Sequence, residues 1–402
     1  MVVNEFVEAW IFEIMRAVGR FFLHPAVYIF VISSIFVGYL RMLRERKDFS
    51  FKVYDIWFEL RTSLFAGIGY GLVVSIIMIG LGLGLVVSKA SLWAILIWTL
   101  LFGLTAMYRY LSAAYTFSIA IVCVLLSSKL PVSFLQLREG EESTIVSLAI
   151  LLGVMLIVEG LLISKNAVGY STPKIRKGKR GLKIGLHESK RLWIVPIFIL
   201  VPGDAVTQFI SWWPVVSIGS NTYSLFLVPF LIGFMRKIKS YEPTEALLFT
   251  GRRVYGLAGL VLVLGIASYW WHVLAIIAMG VAMLGRFTIS MQEKIADETR
   301  PAYFAARNDG LIVLDTIPNT IGAELKLLPG EIITKVNGVI PKSAEEFYDA
   351  LQTKTTGAFC KLEVLDTNGE LRLAQTALYA GGHHELGIVF VEQEHEWDSE
   401  AM

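Results

Sequence analysis

Apolar residues fill the chain in long unbroken runs as far as Thr288 and then give way to short alternating stretches with charges between them. A bilayer core of ~30 Å needs ~20 apolar residues per helix. On that ruler the candidate spans are residues 22–40, 63–87, 91–108, 110–127, 145–163, 192–211, 216–235, 253–269 and 272–289. The joints "SKAS" after Val87 and "WWH" after Tyr269 leave room only for tight hairpins, so the pattern predicts a polytopic α-helical membrane bundle of about seven to nine spans. Residues 1–21 carry apolar positions at helical spacing with charges between, which predicts an amphipathic segment lying in the membrane interface. The expected organisation is that segment, a transmembrane region over 22–289, a linker over 290–308, a small α+β domain over 309–393 and an acidic tail over 394–402.

Composition agrees: 55% of residues are hydrophobic, 17% are charged and the mean hydropathy is +0.61, far from an ordinary soluble domain. The net charge of +2 gives no reason to expect nucleic acid as a partner. Its placement is informative. Lys and Arg cluster in Arg41–Lys52, in Lys174–Lys183 and between Arg236 and Arg253, loops that share one side of the membrane in this reading. The positive-inside rule puts that side, and the C-terminal domain with it, in the cytoplasm. The stretch Lys174–Arg191 has two readings, an orienting signal or a surface for the anionic lipid bilayer.

Ionisable groups in apolar runs are costly and attract a functional reading. Glu159 and His24 qualify, as does Asp204 behind Pro202-Gly203, which suggests a broken helix of the kind transporters use or a local packing role. Hydrolytic chemistry finds no support. His187, His384 and His395 each precede a Glu, but none is followed by the second His of a zinc-binding His-Glu-x-x-His helix. There is no Gly-x-Ser-x-Gly elbow and no phosphate-binding loop; Gly80, Gly82 and Gly84 lie inside a span and suit close helix packing. Cys123 and Cys360 have neither metal-ligand nor disulfide spacing and read as core residues. No catalytic residue, metal or cofactor is expected.

After Asp309 the text is turns and strands: "GLIVLDTIP", "LLPGEIITKVNGVI", "FCKLEVLD", a turn "TNGE", "LRLAQTAL" and "ELGIVFV". Ile332, Val336 and Val339 are expected in a core, between turns at Pro329-Gly330 and Asn337-Gly338. Ser343 and Glu346 form a capping box for a helix whose apolar face is Phe347, Ala350 and Leu351. This succession resembles the circularly permuted PDZ domain of bacteria, with Glu331 where Asp is usual and Leu325-Lys326 in place of a small Ala-Gly pair. The resemblance implies a peptide added as an extra strand beside "LGIVF". Leu386, Gly387, Ile388, Val389 and Phe390 would then form the carboxylate loop and strand, and Phe347 and Leu351 the facing helix wall. Residues 392–402 are the alternative occupant of that edge.

A second resemblance covers the whole chain. "FFLHPAVYIFVI", "GYLRMLRERKDF" and "ELRTSLFAGI", with the PDZ-like tail, resemble the MinJ-type topological determinants of division in low-GC Gram-positive bacteria. The resemblance implies a non-enzymatic scaffold at septum and poles, linking a polar DivIVA-type coiled-coil protein to the membrane ATPase MinD, which carries MinC, the inhibitor of FtsZ polymerisation. The rival classes are a transporter with a regulatory PDZ domain and a PDZ adaptor for a membrane protease.

Overall fold

The computed structural model describes residues 2–49, 51–81, 89–127, 142–178, 181–207, 222–307, 309–353, 359–377 and 386–391. Its first part is helical: α1 (Val2–Leu23), α2 (Pro25–Phe49), α3 (Phe58–Leu81), α4 (Lys89–Leu104), a 3-10 turn at Tyr108–Leu111, α5 (Ala113–Ser127) and α6 (Glu142–Leu161), which runs on through a π turn at Leu162–Ala167. Three strands follow, β1 (Thr172–Lys177), β2 (Lys183–Thr207) and β3 (Thr222–Ile238), and then α7 (Pro243–Ala267) and α8 (Val273–Thr299). Among the described residues five helices are long and apolar enough to cross a membrane: Pro25–Phe49, Phe58–Gly80, Ser143–Tyr170, Pro243–Ala267 and Val273–Thr299. Ser91–Leu104 and Ala113–Cys123 are apolar but shorter.

The helices expected at 192–211 and 216–235 are instead the antiparallel pair β2–β3, in register from His187↔Ile238 to Pro202↔Tyr223, with a shift between Pro202 and Val206. Proline explains part of the choice, because Pro196, Pro202 and Pro229 would each cost ~3 kcal/mol inside a helix. Pro196 stands directly opposite Pro229. Such a pair cannot exchange hydrogen bonds, so both missing N–H groups belong to the outer edges of the hairpin. Asp204, expected at a helix break, falls in the irregular part of β2; its side chain lies outside the described residues.

Both faces of the hairpin are buried, and so the run has no polar alternation. Trp193, Val195, Ile197, Phe230 and Ile232 join one core with Leu152 and Met155 of α6 and Val254 and Val261 of α7. Leu192, Ile194 and Leu231 face the other way, onto Phe30 and Val37 of α2 and Tyr108 and Leu111 of the 3-10 turn.

The outer edge of β2 is sealed by α3. Ser63, Gly67, Gly71 and Ser75 recur every four residues, ~6 Å along a helix, close to the ~6.6 Å of two strand residues. A Cβ at Gly67 would collide with the Ile194 carbonyl, and one at Gly71 with that of Pro196. The next outward N–H, that of Phe198, donates to Ser75 Oγ at 2.9 Å. On β3, Gly233 admits the backbone of Tyr108.

The C-terminal part comprises β4 (Phe304–Ala305), β5 (Leu311–Thr316), the short α9 (Ile321–Glu324), β6 (Ile332–Val336), α10 (Ala344–Thr353), β7 (Phe359–Leu365), β8 (Leu371–Ala377) and β9 (Ile388–Phe390). β5 to β9 form one antiparallel sheet in the order β8-β7-β6-β5-β9, whereas β4 pairs with β2. Three expectations are corrected. α8 extends through Thr299 into the residues assigned to a linker. Val339, expected in the core, is 40% exposed. Cys123 is exposed on α5 rather than buried, while Cys360 is in the core as expected.

Candidate partner-binding site

The turns that frame the C-terminal sheet follow from local chemistry. Asn337 and Gly338 both take positive φ, +49° and +86°, and the Val336 N–H reaches the Val339 carbonyl at 2.8 Å, closing the tight turn that the Asn-Gly pair signals. Lys326, standing where a glycine is usual in the domain it resembles, has φ +51° and so adopts the glycine conformation. Glu331 is buried, accepts from the Leu328 N–H at 2.9 Å and takes Arg372 Nε and Nη2 at 2.9 and 2.6 Å. The longer side chain thus still closes its loop. The capping box is present in both directions, Glu346 N–H to Ser343 Oγ at 3.1 Å and Lys342 N–H to Glu346 Oε2 at 2.8 Å.

All seven residues expected at the groove are buried. Phe347, Leu351, Leu386, Ile388 and Phe390 share one core, and the Phe347 and Phe390 rings meet edge to face at 5.0 Å. Val389 points to the opposite face, onto Phe304, Ile312 and Leu314. Gly387 takes φ +66°, and a Cβ there would overlap Thr320. The carbonyls of Leu386 and Gly387 accept from Gly322 and Ile317, each at 2.7 Å, which pins this turn to the segment around α9. The side chains therefore build the domain. β9 pairs with β5 on one side and ends the sheet order among the described residues. His384 and residues 392–402 lie outside the described residues.

The domain is joined to the helical part through a junction that motif reasoning missed. Ile184 and Gly185 of β2 pair with Ala305 and Phe304, and Gly185 lets Leu314 and Val391 approach. His187, considered only as a zinc ligand, bridges the two parts: Nε2 is 2.8 Å from the Leu314 carbonyl and Nδ1 2.9 Å from Ser171 Oγ. Burial pushes this imidazole down to about 4, against the pull of the Leu314 bond. Beside it Asp315 is pushed up to about 7 by burial, with the Thr316 N–H opposing and Glu45 adding to the rise. The signal for His187 in the sequence was only a polar residue at the foot of an apolar run.

In the helical part Glu159 is fully buried and held by Arg286 Nε at 2.9 Å, Ser112 Oγ at 2.7 Å and the Ala113 N–H at 3.1 Å. A carboxylate so satisfied is a packing element that ties α6 to α8 and the start of α5. His24 occupies the joint between α1 and α2, where Nδ1 accepts from the Ala26 N–H at 3.3 Å.

Comparison with known proteins points one way. Over 392 residues the chain is 36% identical to the cell division topological determinant MinJ of Bacillus subtilis (strain 168), covering 96% of this chain and 97% of that protein. It is 24% identical over 401 residues to probable cell division topological determinants MinJ of Lacticaseibacillus paracasei and of Lacticaseibacillus casei (strain BD-II), covering 94% of this chain and all of theirs. No protein-family model matches the chain, and no solved structure does.

Proposed function

Because the chain belongs to the MinJ family of cell division topological determinants, we propose that it is a membrane-embedded scaffold for division-site selection whose C-terminal PDZ-like domain receives a partner segment on β9. A membrane protein of this family acts in placing division, and the tethering reading explains how this architecture would do so. The five long helices cross the bilayer, the β2–β3 hairpin and the shorter α4 and α5 enter it, and the basic loops with the C-terminal domain face the cytoplasm. The partners are a polar DivIVA-type protein on one side and MinD, with MinC, on the other. Confinement at the membrane surface raises the domain's effective concentration toward partners on the same surface, so modest affinity suffices.

One observation carries the groove reading: β9 is the last strand of the sheet order among the described residues and has α10 packed across it through Phe347 and Phe390. A partner strand added there would use main-chain hydrogen bonds, consistent with side chains already committed to the core. The test is recovery of division proteins from bacterial membranes by the intact chain and by a Gly387→Val variant. That variant must give up φ +66° and push Thr320 aside. DivIVA-type protein and MinD are expected with the intact chain and at least one is expected to be lost with the variant, while membrane insertion stays unchanged. Undiminished recovery of both would move the contact away from β9.

A further inference from the structure

At the end of the helical part nearest the C-terminal domain, between α2, the start of α3, β1 and the foot of β2, lies a cavity of about 240 Å³. Five cations line it, Arg41, Arg44, Lys174, Lys190 and Arg191, against two carboxylates, Glu59 and Glu188. Internal pairing does not balance them. Arg41 is engaged by Glu45 at 2.9 Å and by Glu59 at 2.5 Å, which removes Glu59 from the account. Glu188 is shared by Arg44, by Lys174 at 3.7 Å and by Lys237, also at 3.7 Å.

Lys190 has no ion-pair partner among the described residues and lies over the Tyr108 ring at 5.3 Å. Arg191 is more telling. It is 1% exposed, yet it donates only to neutral oxygens, Thr62 Oγ1 at 2.9 Å and the Tyr170 carbonyl at 2.7 Å, between the rings of Phe58 and Tyr170. Its Nε has no acceptor among the described residues, and neither does that of Arg44. Glu59 attracts Arg191 only from a distance while bound to Arg41, and a buried guanidinium with no carboxylate in direct contact is costly, so an anion entering beside it would relieve that cost. Burial and the neighbouring cations Arg44 and Lys237 also hold Lys174 and Lys190 below the ordinary lysine range, despite Glu188.

The rest of the lining says what kind of anion. Val37 and Leu40 of α2 complete the wall, Leu40 is 43% exposed, and Phe36, Tyr39 and Leu43 beside it are uncovered as well. An occupant therefore meets charge inside and an apolar helix surface outside. We infer that this cavity binds the phosphate diester of one anionic glycerophospholipid, held by Arg44, Lys174, Lys190 and Arg191, with its acyl chains against α2 at Leu40. The assignment rests on reading α2 as a membrane span and is independent of the partner reading, which concerns β9. It also gives the basic loops a role beyond orientation, since cations from two of them, distant in sequence, converge on one site.

The full-length chain in nanodiscs of phosphatidylcholine with a minor share of phosphatidylglycerol provides the test, with native mass spectrometry counting retained lipid and a thermal scan reporting folding. One phosphatidylglycerol per chain is expected, at about tenfold preference over phosphatidylcholine. Lys174→Gln with Lys190→Gln abolishes that preference, and Lys190→Gln alone, the milder change, reduces it. Arg252→Gln with Arg253→Gln, an equal loss of charge on α7, leaves it intact. Absence of preference, or equal loss in the two double variants, overturns the site. Stabilisation of the chain in pure phosphatidylcholine by millimolar inorganic phosphate, with no phosphatidylglycerol retained, would assign the cavity to a soluble anion and overturn the lipid.

Discussion

The chain contains two antiparallel sheets that treat their edges in opposite ways. The β2–β3 hairpin runs through the apolar part with its outer edges closed: two prolines without N–H groups, a serine accepting from Phe198, and α3 laid against β2 at Gly67 and Gly71. In the C-terminal sheet β9 ends the order, three residues long, without a further strand among the described residues. On the proposed placement of the hairpin in the bilayer and the C-terminal domain outside it, the solvent would account for the difference. In hydrocarbon an open edge leaves N–H and C=O groups without any partner, at several kcal/mol each, whereas in water the same edge is hydrated and available for exchange with another strand.

The sharpest way to break the comparison is to force the sealed edge open. Gly67→Leu or Gly71→Leu should drive α3 from β2 and cost several kcal/mol, read as lost thermal stability of the detergent-purified chain. Gly69→Leu, where an added Cβ meets nothing, supplies the control. Equal stability of all three would show that α3 is no seal.

Next is the buried pair beneath the hairpin. Arg286→Leu leaves Glu159 buried without its cation and should cost about 3–5 kcal/mol, while Glu159→Leu combined with Arg286→Leu should recover much of it. A double variant as unstable as the single would give the pair a role other than charge compensation.

The junction between the two sheets should respond to pH with two opposing signs. Asp315 has a folded value near 7, raised above its ordinary one, so its contribution is full in acid and falls as pH rises to about 7. His187 is depressed to about 4, so its contribution is present above about 6.5 and is lost as pH falls toward 4. Each changes by at most about 1.4 kcal/mol per pH unit, and between about 4 and 6.5 they oppose one another. Asp315→Asn should remove the falling arm and leave docking that strengthens from pH 4 to 6.5, measured by hydrogen exchange across β4 and β5. A pH-independent variant would show that His187 does not titrate at the junction.

The last prediction concerns the turn that leads into β9. Gly387→Ala gives up a φ +66° glycine, about 1–2 kcal/mol for the backbone alone, and also pushes Thr320 aside, so it should destabilise the C-terminal domain by more than that and lower partner recovery. Loss of stability without loss of recovery would separate β9 from partner binding.

Local chemistry carried much of this fold into the sequence in legible form. The capping box at Ser343 and Glu346, the Asn337-Gly338 turn and the β5 to β9 strand pattern are short-range matters, decided by neighbours within a few residues, and they stand where the text places them. The long apolar helices are equally local, since backbone groups in lipid must pair within their own segment. The β2–β3 pair was illegible to a ruler of apolar length, because a strand buried on both faces and a membrane helix share one composition; Pro196, Pro202 and Pro229 were the available hints. Its existence depends on α3, more than a hundred residues away, bringing Gly67 and Gly71 to its edge. The same holds for the cation cavity and for His187, whose partners come from segments far apart in the chain. Propensity, capping and hydropathy act along the chain and are written in it. Which edge is sealed and which cations converge are consequences of packing between distant segments, and only the assembled structure decides them.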